Sequence, residues 1–430
     1  MKNRQQAEIV ASYMRRTYAQ GMTTSSGGNI TLRDEDGDQW VTPSAIDKAT
    51  VSQDLILKVD AQGKIEGKKP ISSEYPFHRR VLETRPDLNA VYHAHPKAIV
   101  GFSFAQIAPD MKVIPKYSDY VGRINVAEYA CPGTEDLAGN IAKEFADGCD
   151  AAILSNHGIV TGAGSVEEAF VKTELIERTA RMEILAKSNG LEWIYPDHPD
   201  AYKNAAQQVH LMEEYEPEKP SEKELEARTL ICKWANRAYK KNLCGTLDGS
   251  FAMRVTKNSF VITPANVDRM NMQPDDCVLI RAGKREKGKT PDDSAILFQT
   301  IFDTHADLNY ALMASPVSIM VFAITDRDFP VKVIPESYQM LRELPKMEFG
   351  TWQNDPRKVA GQVRENRPVV LFRNDCLLSV GRSEFKSFDR LEVADYTAQS
   401  IFDSEMIGAL VPLSKQAIKD IEDKFFKGEV

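Results

Sequence analysis

The stretch "VYHAHPKAIV" (91–100) places two histidines one residue apart inside an apolar run. On a strand, positions i and i+2 share a face, so His93 and His95 can converge on one point. A third histidine, His157, stands in "LSNHGIV", where an apolar run meets a turn, and Glu74 stands in "SSEYPF", where a helical pattern begins. An H-x-H pair alone is a common arrangement of polar residues on a strand. Two such histidines with a distant third offer three nitrogens and no sulfur. That donor set suits a divalent metal with an open coordination position: Zn2+ first, with manganese, cobalt or iron compatible with the same ligand type. Each imidazole must be neutral to bind, and its second nitrogen needs a partner.

The elements that must position these residues are legible as periodicities. "MKNRQQAEIVASYMRRTYAQGM" reads as an amphipathic helix. Two short strand-like runs follow around "DEDGD" (34–38), which lacks the twelve-residue ligand spacing of a calcium loop and carries the Asp-Gly of a hairpin. "SSEYPFHRRVLETRP" predicts a helix capped by serine and ended by Pro86, and "DLNAVYHAHP" a strand. A helix with Thr134 as N-cap and Glu135 and Asp136 in its first turn comes next. "AAILSNHGIVTGAG" reads as a buried strand leading to a turn, and a long helix starts at a Ser165/Glu168 capping box and stops at Gly190.

A chain of 430 residues exceeds one ordinary domain, so two are expected. A net charge of −8 argues against a nucleic-acid surface, which needs a cationic footprint. No run of roughly 18 apolar residues suggests a membrane span, and the first residues lack a signal-peptide core. Six cysteines without a C-x-x-C pair fit reduced thiols. The expectation is a cytoplasmic protein acting on a small molecule, with no nucleic-acid or membrane partner.

From about 196 to 222 the chain is rich in Pro, Glu and Lys, the composition of a linker; beyond it the first half begins again. Arg254 follows Arg33 by 221 residues, as Thr263 follows Thr42 and Pro264 follows Pro43. "RPDLNAVYHAHP" matches "HADLNYALMASP" at 5 of 12 positions. Short matches in one order at a nearly constant offset argue for a duplication with a domain-sized unit, residues 1–212 and 223–430.

The motifs "GGNIT", "TPSAID", "SSEYPFH", "RPDLNAVYHAHP", "PGTEDLA" and "SNHGIV", in that order across residues 1–190, resemble the class II aldolase/adducin family. The resemblance implies an α/β fold: two three-layer α/β/α domains in tandem, each with a central mixed, largely antiparallel sheet. It implies that His93, His95 and His157 hold the metal and that Glu74 is the acid/base carboxylate. It places a substrate phosphate among Gly28, Asn29, Ser44, Ser72 and Ser73, with Ala45 standing where the family's turn usually has glycine. Tyr117 and Tyr120 become candidates for the acid at the aldehyde oxygen. The implied activity is metal-dependent, aldolase-type cleavage of a sugar phosphate or polyhydroxy carbonyl compound by a homo-oligomer. Decarboxylation, dehydration and epimerisation run on the same site, and the adducin branch offers a non-enzymatic alternative. Glutamate rather than aspartate at position 74 leans away from epimerisation.

In the second half the offsets put Ser294 at the place of Glu74, Met313 and Ser315 at those of His93 and His95, and Asp375 at that of His157. Framework is kept and chemistry is discarded, so the second copy is expected to bind no metal. The basic run 281–291 matches a Gly- and Lys-rich turn of the first half and reads as a solvated loop.

Overall fold

The computed structural model describes residues 2–426 and divides into two compact units, residues 1–111 with 117–181 and residues 112–116 with 182–430. In the first unit eight strands form one sheet: β1 Asn29–Arg33, β2 Gln39–Val41, β3 Leu57–Val59, β4 Ile65–Glu66, β5 Ala90–Ala94, β6 Ile124–Ala127, β7 Ala151–Leu154 and β8 Gly158–Ala163. Their order is β4-β3-β2-β1-β5-β8-β7-β6, antiparallel throughout except for the parallel β6–β7 pair. The helices are α1 Lys2–Ala19, α2 Tyr75–Thr84, α3 Lys97–Ala105, α4 Pro115–Val121, α5 Glu135–Ala146 and α6 Val166–Ser188.

Alternation along β5 sorts the layers. Val91 packs with Phe77, Val81 and Leu82 of α2 and with Leu137, Ile141 and Phe145 of α5. Tyr92 points to the opposite face, where its hydroxyl meets Thr17 of α1 at 2.6 Å and its ring lies edge-on to Phe170 of α6. His93 therefore returns to the α2 side, and its ring stands edge-on to Phe77 at 5.5 Å.

Several local expectations hold. Asp34 Oδ1 accepts the amides of Asp36 and Asp38 and Oδ2 accepts Trp40 Nε1, so the acidic turn spends its leading carboxylate on the hairpin. Thr134 caps α5 by accepting from Leu137 N. Ser165 Oγ accepts from Glu168 N as expected, but the Glu168 carboxylate takes the Gly164 amide rather than that of Ser165, so only half of the capping box forms. Two other details differ. The N-cap of α2 is Glu74, not a serine, and Ser72 Oγ instead holds the Glu74 amide. The run 151–164 is two strands around a tight turn, with Asn156 in the left-handed region at φ 57°.

The second unit repeats the sheet in the same order with one strand added. Its strands are β9 Glu214–Tyr215, β10 Ser250–Thr256, β11 Ser259–Ile262, β12 Val278–Arg281, β13 Lys284–Glu286, β14 Tyr310–Ala314, β15 Lys346–Met347, β16 Val369–Phe372 and β17 Leu377–Gly381. They run β15-β16-β17-β14-β10-β11-β12-β13-β9. The register is the same to the residue: Asn29 faces His93 across β1–β5, and Ser250 faces Met313 across β10–β14. Arg33 donates to the carbonyls of Leu82, Pro86 and Leu88, while Arg254 donates to those of Phe302, His305 and Leu308. Helix α9 (Ala295–Thr304) covers one face. On the other, Trp234 of α8 (Glu222–Lys240) meets Phe388 of the helix Glu384–Ile407, ring centroids 4.7 Å apart.

The stretch read as a linker is structured. Helix α7 (Tyr202–His210) puts Ala205 and Val209, with Met212, into the second unit's core, so residues expected with the first domain pack with the second unit. Strand β9 pairs in parallel with β13, and Lys284, Arg285, Lys287 and Arg281 pair with Glu213, Glu214, Glu216 and Glu218. The basic run is thus a sheet-edge hairpin matched to an acidic segment, a match that composition alone does not reveal. No described helix is long and apolar enough to cross a membrane.

Candidate metal centre

His93 is the penultimate residue of β5, and His95 follows just beyond its end at Ala94, its amide held by the Met22 carbonyl at 3.0 Å. His157 enters from the β7–β8 turn. Their ring centroids lie 4.6 to 5.1 Å apart. One ligand nitrogen from each falls within 4.8 Å of the others, the single such His/Cys/Asp/Glu group among the described residues.

The tautomer is fixed at His93, where Nδ1 donates to the Ile159 carbonyl at 2.8 Å and leaves the Nε2 lone pair free. That Nε2 lies 3.0 Å from His95 Nε2, so two imidazole nitrogens are aimed at one point. Burial, reinforced by the neighbouring imidazoles, holds His93 and His95 down to about 3, and burial lowers His157 as well, against the Glu74 charge. All three are therefore neutral near pH 7, the form a cation requires. The donor set fits a divalent metal.

Glu74 stands at the head of α2 with Oε2 3.5 Å from His93 Nε2 and Oε1 3.4 Å from His157 Nε2. Asn29 Nδ2 donates to Oε2 at 2.7 Å, and Asn29 Oδ1 accepts from His78 Nε2. His78 is fully buried, which pushes it down to about 3 and keeps it neutral. The chain His78–Asn29–Glu74 orients the carboxylate beside the three imidazoles.

Glycine is required where the backbone crowds the histidines. A Cβ on Gly158 would fall 2.5 Å from the Ala94 carbonyl oxygen and 2.6 Å from His95 Cδ2, and one on Gly27 would fall 2.7 Å from His95 Nδ1. Gly28 adopts φ 72°, Ser72 is buried, Ser44 half-buried and Ser73 exposed. Ala45 adopts φ 51°, the left-handed conformation that favours glycine. Tyr117 is buried in α4. Tyr120 is pushed up to about 12 by burial and by Glu168 and Glu167.

Two residues escaped sequence reasoning. His78, four positions after Glu74, ends the motif "SSEYPFH". Lys48 is 2% exposed, and burial lowers it to about 8 although the Glu74 charge opposes that shift. The repeat pattern holds the signal for both: His78 becomes Phe298, whereas Lys48 becomes Arg269.

In the second unit the equivalent positions are dismantled coherently. Met313 joins the apolar core. Ser315 is small enough to admit Asp248, at the place of Gly27, and donates to it. Asp375 accepts from Trp352 Nε1 at 2.7 Å and Gln353 Nε2 at 2.9 Å. Ser250 and Ser294 hydroxyls meet at 2.7 Å where the first unit has Asn29 and Glu74.

Residues 8–184 and 229–402 both match the model of the class II aldolase and adducin N-terminal domain. The chain belongs to this family. The class II aldolase match covers both halves, consistent with a tandem duplication. An L-fuculose phosphate aldolase of Methanococcus maripaludis is 31% identical over 172 residues, covering 39% of this chain and 90% of that protein. A 3-oxo-tetronate 4-phosphate decarboxylase of Escherichia coli is 31% identical over 208 residues, covering 47% and 91%. Among solved structures, an L-fuculose 1-phosphate aldolase is 31% identical and covers 45% of this chain and 91% of its own, with a TM-score of 0.41. The class II aldolase fold, two mixed α/β domains in tandem, is the one described above.

Proposed function

We propose that the protein is a metal-dependent lyase that cleaves or condenses a small sugar phosphate or polyhydroxy carbonyl compound. The observation that carries this reading is the convergence of His93, His95 and His157 on one point with Glu74 beside them. The three histidines would hold the divalent cation, with zinc the expected occupant. Bound there, the cation supplies Lewis-acid stabilisation of the negative charge that develops when a bond beside a carbonyl breaks.

Glu74 moves the proton on carbon. Asn29 occupies Oε2, so Oε1 is the oxygen left for that transfer. Gly28, Asn29, Ser44, Ser72 and Ser73 would receive the substrate's phosphate. Tyr117 and Tyr120 are the candidates for protonating the aldehyde oxygen, and Tyr120 keeps its proton at neutral pH. Association of chains into a homo-oligomer belongs to the same proposal.

Decarboxylation is a second reading, favoured by the 31% identity to a 3-oxo-tetronate 4-phosphate decarboxylase. A screen of metal-replete protein against ketose phosphates and sugar acids separates the two, with aldehyde and carbon dioxide release followed in parallel. Aldehyde without carbon dioxide supports the lyase reading. Carbon dioxide alone supports the second, and turnover of neither overturns both.

A further inference from the structure

Lys48 and Arg269 close the matching runs "TPSAIDK" and "TPANVDR", 221 residues apart. Their surroundings start out alike. The Lys48 amide donates to the Ser25 carbonyl and the Arg269 amide to the Thr246 carbonyl, each at 2.9 Å. The turn before each is left-handed, at Ala45 with φ 51° and at Asn266 with φ 53°. Both side chains are buried, at 2% and 0% exposure. A buried cation has therefore been kept in a half that lost its histidines and its glutamate.

What satisfies the cation differs. Arg269 donates through Nε to the Gly249 carbonyl at 2.8 Å and through Nη1 to the Val267 carbonyl at 2.6 Å. Its Nη2 makes no hydrogen bond and lies 3.7 Å from Asp292 Oδ2. Asp292 is itself anchored, accepting at Oδ1 from the Ser294 amide at 3.0 Å and hydroxyl at 2.8 Å. The second unit thus carries a carboxylate of its own against the buried cation.

The first unit lacks that anion. At the places of Asp292 and Asp293 stand Ser72 and Ser73. Among the described residues no hydrogen bond reaches the Lys48 ammonium, and Glu74, the one charge acting on it, is engaged by Asn29. A framework role like that of Arg269 would require carbonyl partners, and Lys48 has none of them. Burial of the Lys48 side chain without a paired anion disfavours its charged form. A mobile anion that enters with the ligand removes that penalty.

We propose that Lys48 is the charge partner of an oxyanion carried by the ligand, and that Asp292 is the second unit's built-in substitute for that oxyanion. The ligand group is a phosphate monoester or a carboxylate lying against the Ser72 and Ser73 segment. This deepens the lyase reading by assigning the residue that selects an anionic substrate.

The test is calorimetric titration of the full chain, after chelation so that no metal competes for the anion, with inorganic phosphate and with acetate. Wild type should bind one anion per chain, and the preferred probe tells phosphate from carboxylate. Lys48→Met should weaken binding about 10-fold or more, the scale of a charge-assisted hydrogen bond. Lys48→Arg should retain most of it. Ser72→Asp, which imports the second unit's carboxylate, should abolish anion binding while metal content and thermal unfolding stay near wild type. Unchanged anion binding in Lys48→Met or in Ser72→Asp overturns the proposal, as does wild type that binds neither probe. Anion binding that depends on Lys48, without turnover of any carbonyl substrate, would instead overturn the lyase reading and leave this one standing.

Discussion

Asn29 Nδ2 and Glu74 Oε2 lie 2.7 Å apart, joining the first residue of β1 to the head of α2 across 45 positions of sequence. The bond leaves one carboxylate oxygen constrained and the other open beside His157. In the second unit both partners are serine, and their hydroxyls keep the same connection without a carboxylate. The link between strand and helix is kept where the carboxylate is not, so the framework does not require a carboxylate there.

Glu74→Gln can keep the contact with Asn29 but cannot accept a proton. Turnover should fall about 100-fold or more, a typical acid–base contribution. Metal content should remain near wild type. Near-normal turnover would move the proton-transfer role to another residue.

One divalent metal per chain is expected, because the described residues offer one histidine group and the second unit spends its equivalents on packing and hydrogen bonds. Elemental analysis of protein never exposed to chelator measures it directly. His95→Ala should lose the metal, leaving two imidazoles. Two metals per chain, or none, would sink the assignment.

Metal-free protein should lose stability as pH falls from about 6.5 towards about 3, the ordinary and buried values of His78. Above that window His78 is neutral in both folded and unfolded chains and contributes nothing. Within it the unfolded chain takes up a proton that the folded one refuses, so unfolding is favoured. His93 and His95 act in the same direction. His78→Phe, the residue at the equivalent position of the second unit, should flatten the slope in urea titrations across this range. An unchanged slope would refute the assignment to His78.

Ala45 holds φ 51° with a side chain that disfavours it. Ala45→Gly should raise stability by about 1 kcal/mol, the scale of a left-handed strain relieved, read from the urea midpoint. A lowered midpoint would mean that the methyl group contributes more in contacts than it costs in strain.

Much of the site was legible because its signals are short-range. Alternation put His93 on the face of Val91, and the apolar runs around "SNHGIV" marked the chain reversal that delivers His157. The repeat offset predicted that Met313 replaces His93, and the two sheets pair Asn29 with His93 and Ser250 with Met313 in the same register. The acidic turn, the Thr134 cap and the Ser165 cap were equally local, each resolved by hydrogen bonds within four residues.

By itself, the sequence determined which histidines could come together, which half lacks them, and the order of elements that carries them, because periodicity and spacing are properties of neighbouring residues. Tertiary structure decided what those residues touch. The Ile159 carbonyl that sets the His93 tautomer, the Asn29 bridge from His78 to Glu74 and the solitary ammonium of Lys48 all depend on strand register and loop approach across tens of residues. It also decided that residues 202–215 belong to the second unit, because Ala205, Val209 and Met212 find an apolar core and β9 finds the edge of β13. A polar, proline-rich composition marks such a segment as surface; only the presence of an open sheet edge and an uncovered apolar face makes it fold there.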